Sequence, residues 1–250
     1  MTATPTVTET GTPTVTPTST ATLTPTPTTT STPLPLDHFQ CYETHRKSLN
    51  MAGVSLEDEF GPSTITVKRN KRICAPADKN GEDPDAIGHE GHLVFYTIKQ
   101  TLPRPHKVRG VVVTNQFGFL VVTVGKADRM LVPTAKSLTG YPGDLATPLD
   151  HFKCYKIGGA KFRALGIGVE TQFGALTVDI KKPTHLCAPA SKNGEDPAAP
   201  SHFEHLMCYQ VRGPRPSAQP TIFTNDQFGP DTHTFFGPRE ICVPSEIMVP

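Results

Sequence analysis

The heptapeptide "LDHFKCY" (149–155) repeats "LDHFQCY" (36–42) with one change. "KNGEDP" (79–84) returns at 192–197 with the same shift of 113 residues, so the two copies run in register between these marks. A weaker echo lies inside each copy. His38 and His92 are 54 residues apart, as are His151 and His205, and the echoes read "HLVFY" (92–96) and "HLMCY" (205–209). Four quarters therefore share one skeleton: His-x-x-Cys/Phe-Tyr, then a Phe-Gly pair (Phe60, Phe117, Phe173, Phe228), then Cys or Leu followed by x-Pro (Pro76, Pro133, Pro189, Pro244). Self-similarity at a fixed period is the mark of a repeat architecture.

Each quarter alternates apolar and polar residues. Leu165, Ile167 and Val169 share one strand face, as do Leu176, Val178 and Ile180, with Phe173-Gly174 between them as a hairpin turn. No helical period of useful length appears. Adding "HFKCYKI" and a short "HLCAP" strand gives about four strands per quarter. The fold class is all-β, of antiparallel sandwich or barrel-like form. A unit of about 50 residues buries too little core alone, so two halves are expected to fold as one pseudo-twofold domain. Domain 1 is expected over 36–140 (half-repeats 36–86 and 87–140) and domain 2 over 149–250 (149–199 and 200–250). A linker at 141–148 joins them, inside the turn-rich "TGYPGDLATP" (139–148).

Residues 1–35 form a separate object. Thr stands at nearly every second position with Pro scattered through it, and Glu9 is the one charge. Such a segment cannot offset its ordering entropy, and a disordered linker of the kind that suits O-glycosylation is expected. It shows no basic and apolar leader, so the expectation is that Met1 lies inside a longer exported protein. The net charge of +1 favours neither nucleic acid nor an anionic membrane. No apolar run approaches the roughly 20 residues of a membrane helix.

The six cysteines fall as an early and a late one in three quarters. Quarter two lacks both, with Phe95 early and Leu131 late. Loss of both from one quarter favours pairing within quarters: Cys41–Cys74, Cys154–Cys187 and Cys208–Cys242. Phe95 against Leu131 then fills the volume of a missing bridge. Each bridge is worth about 3–4 kcal/mol in the chain-entropy treatment. Zinc is the competing reading, but the spacing lacks any C-x-x-C.

His38, His92, His151 and His205 each precede a tyrosine (Tyr42, Tyr96, Tyr155, Tyr209) by four residues and share its strand face. His92 persists where the cysteines are lost, so a structural His/Tyr role is favoured over metal ligation; a repeated ligand-contact face is the functional alternative. His89 with His92, and His202 with His205, form candidate ligand or metal pairs, although "HEGH" is one residue short of a zinc-peptidase motif. "DKNGEDPD" (78–85) reads as a turn rather than a calcium loop, and "VKRNKR" (67–72) as a solvated turn rather than a nucleic-acid site. The turn phenylalanines read as plugs at the core edge. No nucleophile elbow, P-loop or dinucleotide fingerprint is present, so neither catalytic residues nor a cofactor is expected.

The combination "LDHFKCYKI…TQFGALTVDIKKPTHLCAPASKNGED" resembles an uncharacterised tandem domain of exported proteins from environmental, myxobacteria-like bacteria, which often follows Thr/Pro-rich linkers. The likeness covers roughly residues 36–250 and implies no known activity. The expectation is an exported or surface-displayed, non-enzymatic β-module with an unknown protein or carbohydrate ligand. A secreted metal- or calcium-binding protein or enzyme, using the His and acidic clusters, is the alternative.

Overall fold

The computed structural model describes Met1 and residues 36–146, 148–216 and 219–250. The Thr/Pro-rich segment falls outside the described residues but for Met1. Each quarter forms three strands. They are β1 (His38–Thr44), β2 (Ser48–Asp58) and β3 (Gly61–Lys79); β4 (His92–Leu102), β5 (Val108–Asn115) and β6 (Gly118–Ser137); β7 (His151–Gly158), β8 (Ala164–Thr171) and β9 (Gly174–Lys192); and β10 (His205–Arg212), β11 (Thr221–Asp226) and β12 (Gly229–Met248). The expected third and fourth strands of each quarter are one long strand, 19 or 20 residues in length, bent at bulges. "VKRNKR" lies inside β3, which corrects its reading as a turn: the backbone stays paired across two bulges, with Val67 and Asn70 buried and Arg69 exposed. Short 3-10 turns at Pro84–Gly88 and Ala199–Ser201 follow the two KNGEDP loops.

Antiparallel pairing runs β1–β3–β4–β6–β7–β9–β10–β12 and returns from β12 to β1. This is a closed eight-stranded ring, to which every quarter gives two strands. Closure removes the free edges that an open sheet would present. The division into separate β-domains over 36–140 and 149–250 is therefore corrected. The seams β6–β7 and β12–β1 join the two halves by the same kind of ladder that β3–β4 and β9–β10 form inside them. The pseudo-twofold of each half survives as part of a fourfold arrangement. Residues 35–250 form one compact unit. The 139–148 connection is pinned to the last quarter: Tyr141 Oη lies 2.9 Å from Thr232 Oγ1, and its ring meets Phe223 edge-on.

The remaining strands, β2, β5, β8 and β11, pair with the first halves of β3, β6, β9 and β12 to make four hairpin arms. Each arm also reaches the quarter two places on: β2 pairs with the end of β9, β8 with β3, β5 with β12, and β11 with β6. The turn glycines Gly61, Gly118, Gly174 and Gly229 all take positive φ, between 91° and 104°, which is why the Phe-Gly step recurs. The main core lies between the arms and the outer face of the ring, where Val54, Ile65 and Val113 of the arms join Val94, Met130, Met207 and Ile241.

Candidate functional site

Alternation along the ring strands stacks the lumen in layers. The first layer pairs Phe39 with Pro76, Leu93 with Pro133, Phe152 with Pro189 and Leu206 with Pro244. The second holds the disulfides Cys41–Cys74, Cys154–Cys187 and Cys208–Cys242, with Phe95 opposite Leu131 in the fourth place. Phe, Leu and Cys of these layers form one buried cluster, in which Cys187 Sγ stands 3.8 Å from Cys208 Sγ. The lumen is thus a packed core, as the width of an eight-stranded barrel allows.

The third layer, two residues beyond the cystines, is charged. Its register pairs are Glu43 with Arg72, Thr97 with Arg129, Lys156 with His185 and Gln210 with Glu240. The first two layers use almost the same residue types in every quarter, whereas these four pairs are all different. Glu240 sits at the centre. Its Oε2 accepts from Arg72 Nη1 and, at 2.6 Å, from Arg129 Nη1, while Oε1 accepts from Thr184 Oγ1 at 3.0 Å. Burial would push the Glu240 carboxyl up, but Arg129 and Arg72 hold it at about 2. His185 Nε2 and Lys156 Nζ meet the two oxygens of Asp128, at 3.0 and 3.1 Å. Both guanidiniums lie over the Phe95 ring, Arg129 at 4.3 Å and Arg72 at 5.0 Å from its centroid. Phe95 therefore does more than fill a missing bridge. It gives the buried Arg129 and the half-buried Arg72 a π face that a cystine cannot offer.

The recurring histidines and tyrosines are used on the outside of the ring. Each tyrosine packs its ring against the turn phenylalanine of the quarter two places on: Tyr42 on Phe173, Tyr96 on Phe228, Tyr155 on Phe60 and Tyr209 on Phe117, with centroids 5.0–5.5 Å apart. Its hydroxyl meets the same turn. Tyr155 donates to Asp58 Oδ2 at 2.6 Å and Tyr96 to Asp226 Oδ2 at 2.7 Å; Tyr209 accepts from Asn115 Nδ2 at 3.0 Å; Tyr42 lies 2.9 Å from Thr171 Oγ1. Asp58 is buried, and its carboxyl is raised to about 6 by that burial against the opposing pull of Lys153 and Tyr155. His38, His92 and His151 contact Gln116, Gln172 and Gln227, each the glutamine before the next quarter's Phe-Gly turn. Glu59 takes that place for His205, whose Nε2 lies 2.7 Å from its Oε1. Desolvation lowers the His38, His92 and His151 imidazoles to about 4.

His89 and His202 stand apart from His92 and His205. His89 joins Asp37 and Asp83, and His202 joins Asp150 and Asp196, each set with its ligand atoms within 4.8 Å of one another. The His89 Nδ1–Asp37 and His202 Nδ1–Asp150 contacts measure 2.8 and 2.7 Å. Each set offers two carboxylates and an imidazole to a divalent cation. The expected His89/His92 and His202/His205 pairs do not form these sets. His92 Nδ1 meets the Glu90 carbonyl oxygen at 2.8 Å and His205 Nδ1 that of Phe203 at 2.9 Å. Asp37 and Asp150 were the unread partners, and the signal was present: both directly precede the repeated His38 and His151.

Four copies of one skeleton closing an antiparallel ring place the chain among internally repeated β-barrels. The model of a family described as a repeat of unknown function, DUF7450, matches residues 92–244, and the chain belongs to that family. The match begins at the histidine of the second quarter and ends at the Cys-x-Pro proline of the fourth, so it runs across the β6–β7 seam. No curated protein and no solved structure matches the chain. Among the described residues, no helix is long and apolar enough to cross a membrane.

Proposed function

We propose that this chain is an exported or surface-displayed, non-enzymatic β-module with a structural or binding role. One observation carries the reading: the residues of the shared skeleton are consumed in building the fold. His reaches a neighbouring turn, Tyr and Phe lock opposite quarters, Gly turns the hairpins, and Cys and Pro fill the lumen. A repeat that kept a reaction would keep reactive groups free; this one keeps ties. Three buried disulfides favour an oxidising compartment, where such bonds form and persist. Fractionation of producing cells followed by alkylation and mass spectrometry tests the reading. The expected result is full-length chain outside the cytoplasm with all six cysteines oxidised. A cytoplasmic pool with alkylated cysteines would overturn it.

A further inference from the structure

The formal net charge of +1 hides a strong separation along the barrel axis. β1, β7 and β10 end within two residues of the charged third layer, β4 passes it and runs on to Leu102 beside β3, and β3, β6, β9 and β12 enter the ring there. The eight segments at this mouth (43–47, 68–72, 97–99, 125–129, 156–160, 181–185, 210–213 and 236–240) hold fourteen Lys and Arg against three carboxylates, Glu43, Asp128 and Glu240. The opposite end is built from 36–38, 77–92, 134–151, 190–205 and 245–250. It holds twelve Asp and Glu against three lysines. The rest of the chain from residue 36 on balances, seven of each sign. Four residues of each ring strand lie between the poles so bounded (39–42, for instance), so roughly 16 Å of strand separates their near edges at 3.3 Å per residue. That exceeds the screening length of about 10 Å at 0.1 M salt, and neither pole cancels the other within one molecule.

At the mouth, Arg69, Lys99, Lys126, Lys182 and Arg212 are exposed. No ion pair engages them among the described residues. Burial, then the charges of Arg72, Arg46 and Arg129, pull the Lys71 ammonium below its ordinary value. At the far end, Asp85, Glu90, Asp144 and Glu246 are likewise exposed, and no ion pair engages them among the described residues.

We infer that the barrel mouth docks a second copy of this chain, its basic rim receiving the acidic end of the next molecule. The complementary surface is carried by the chain itself, with opposite sign and similar magnitude. A contact between unlike ends is heterologous and does not close on itself, so it would build an open end-to-end stack.

Sedimentation velocity on the full chain tests this, across a range of protein concentrations at about 20 mM and about 300 mM salt. The expected result is a sedimentation coefficient that climbs with concentration at low salt and stays at the monomer value at high salt. The mouth variant Arg69→Glu/Lys126→Glu/Lys182→Glu should lose association, as should the far-end variant Asp85→Lys/Glu90→Lys/Asp196→Lys. All six positions are exposed, and circular dichroism melts matching the parent's establish that both variants fold. An equimolar mixture of the two should give dimers and nothing larger, because one intact mouth then meets one intact acidic end. A parent chain that stays monomeric at low salt would overturn the proposal. So would a mixture that stays monomeric, or a mouth variant that binds a sulfated polysaccharide column less while its self-association is unchanged.

Discussion

Glu240 is the residue on which the lumen turns. It is fully enclosed and shared by two guanidiniums, so it stays ionised far below the usual carboxylate range. Removing it would leave the buried Arg129 and the half-buried Arg72 facing each other. Glu240→Gln is expected to cost about 3–5 kcal/mol, the range for breaking a buried ion pair by deleting one partner, measured as urea unfolding at pH 7. The tyrosines allow a graded test. Tyr155→Phe strips a donor from a buried carboxylate, whereas Tyr42→Phe loses only a hydroxyl partner. The first should cost about 2–3 kcal/mol and the second about 1 kcal/mol. The pH dependence follows from the histidines. His38, His92 and His151 are lowered from 6.5 to about 4 in the folded chain, so between these values the unfolded chain binds more protons. Their stabilisation is present above pH 6.5 and is lost as pH falls to about 4. Asp58 works the other way: raised from 3.8 to about 6, it favours the folded chain on acidification. With His185 and His233 also lowered by burial, five imidazoles outweigh the four raised carboxyls, Asp58 with Asp37, Asp150 and Asp226, and the melting temperature should fall between pH 6.5 and 4. A flat profile there would mean that these imidazoles are not held neutral.

At the scale of elements, the long bent strand does two jobs, lining the ring with one half and carrying an arm with the other. That arrangement explains why the cystine position of the second quarter could change without loss of the fold. Phe95 and Leu131 keep the same cross-strand register as the three cystine pairs. A Phe95→Cys/Leu131→Cys double substitution is therefore expected to form a fourth disulfide, visible in non-reducing peptide mapping. Its stability gain should fall short of the nominal 3–4 kcal/mol, since Arg72 and Arg129 lose their π face. Absence of the bridge would mean that the second quarter departs from the common backbone. The sequence was a good guide here because cystines, Phe-Gly turns and alternation are local signals. It misled at "VKRNKR", where dense charge resembles a turn, yet the strand runs on through a bulge: Val67 faces the core, and the register shift after it turns Arg69 to water and brings Asn70 inside. The third lumen layer was not readable. No residue type is common to all four of its quarters, so a search for likeness passes over it.

For the whole molecule, the 113-residue likeness pointed to two domains, and the strand pairing makes one ring. Likeness between copies records which unit was duplicated; it carries no information about which strand edges meet. The β6–β7 seam uses the same Leu131 and Phe152 positions as any seam inside a half, so nothing in the residues marks it as a junction between domains. The halves 36–145 and 146–250, expressed separately, should each expose two unpaired ring edges and fail to unfold cooperatively as monomers. A half that melts as a cooperative monomer would restore the two-domain reading. The closed ring itself is tested most directly by differential scanning calorimetry of the intact, oxidised full chain. One cooperative unit predicts a single transition whose calorimetric and van't Hoff enthalpies agree, a ratio of about one. A ratio near two, or two resolved transitions, would show independently closing halves and contradict the ring.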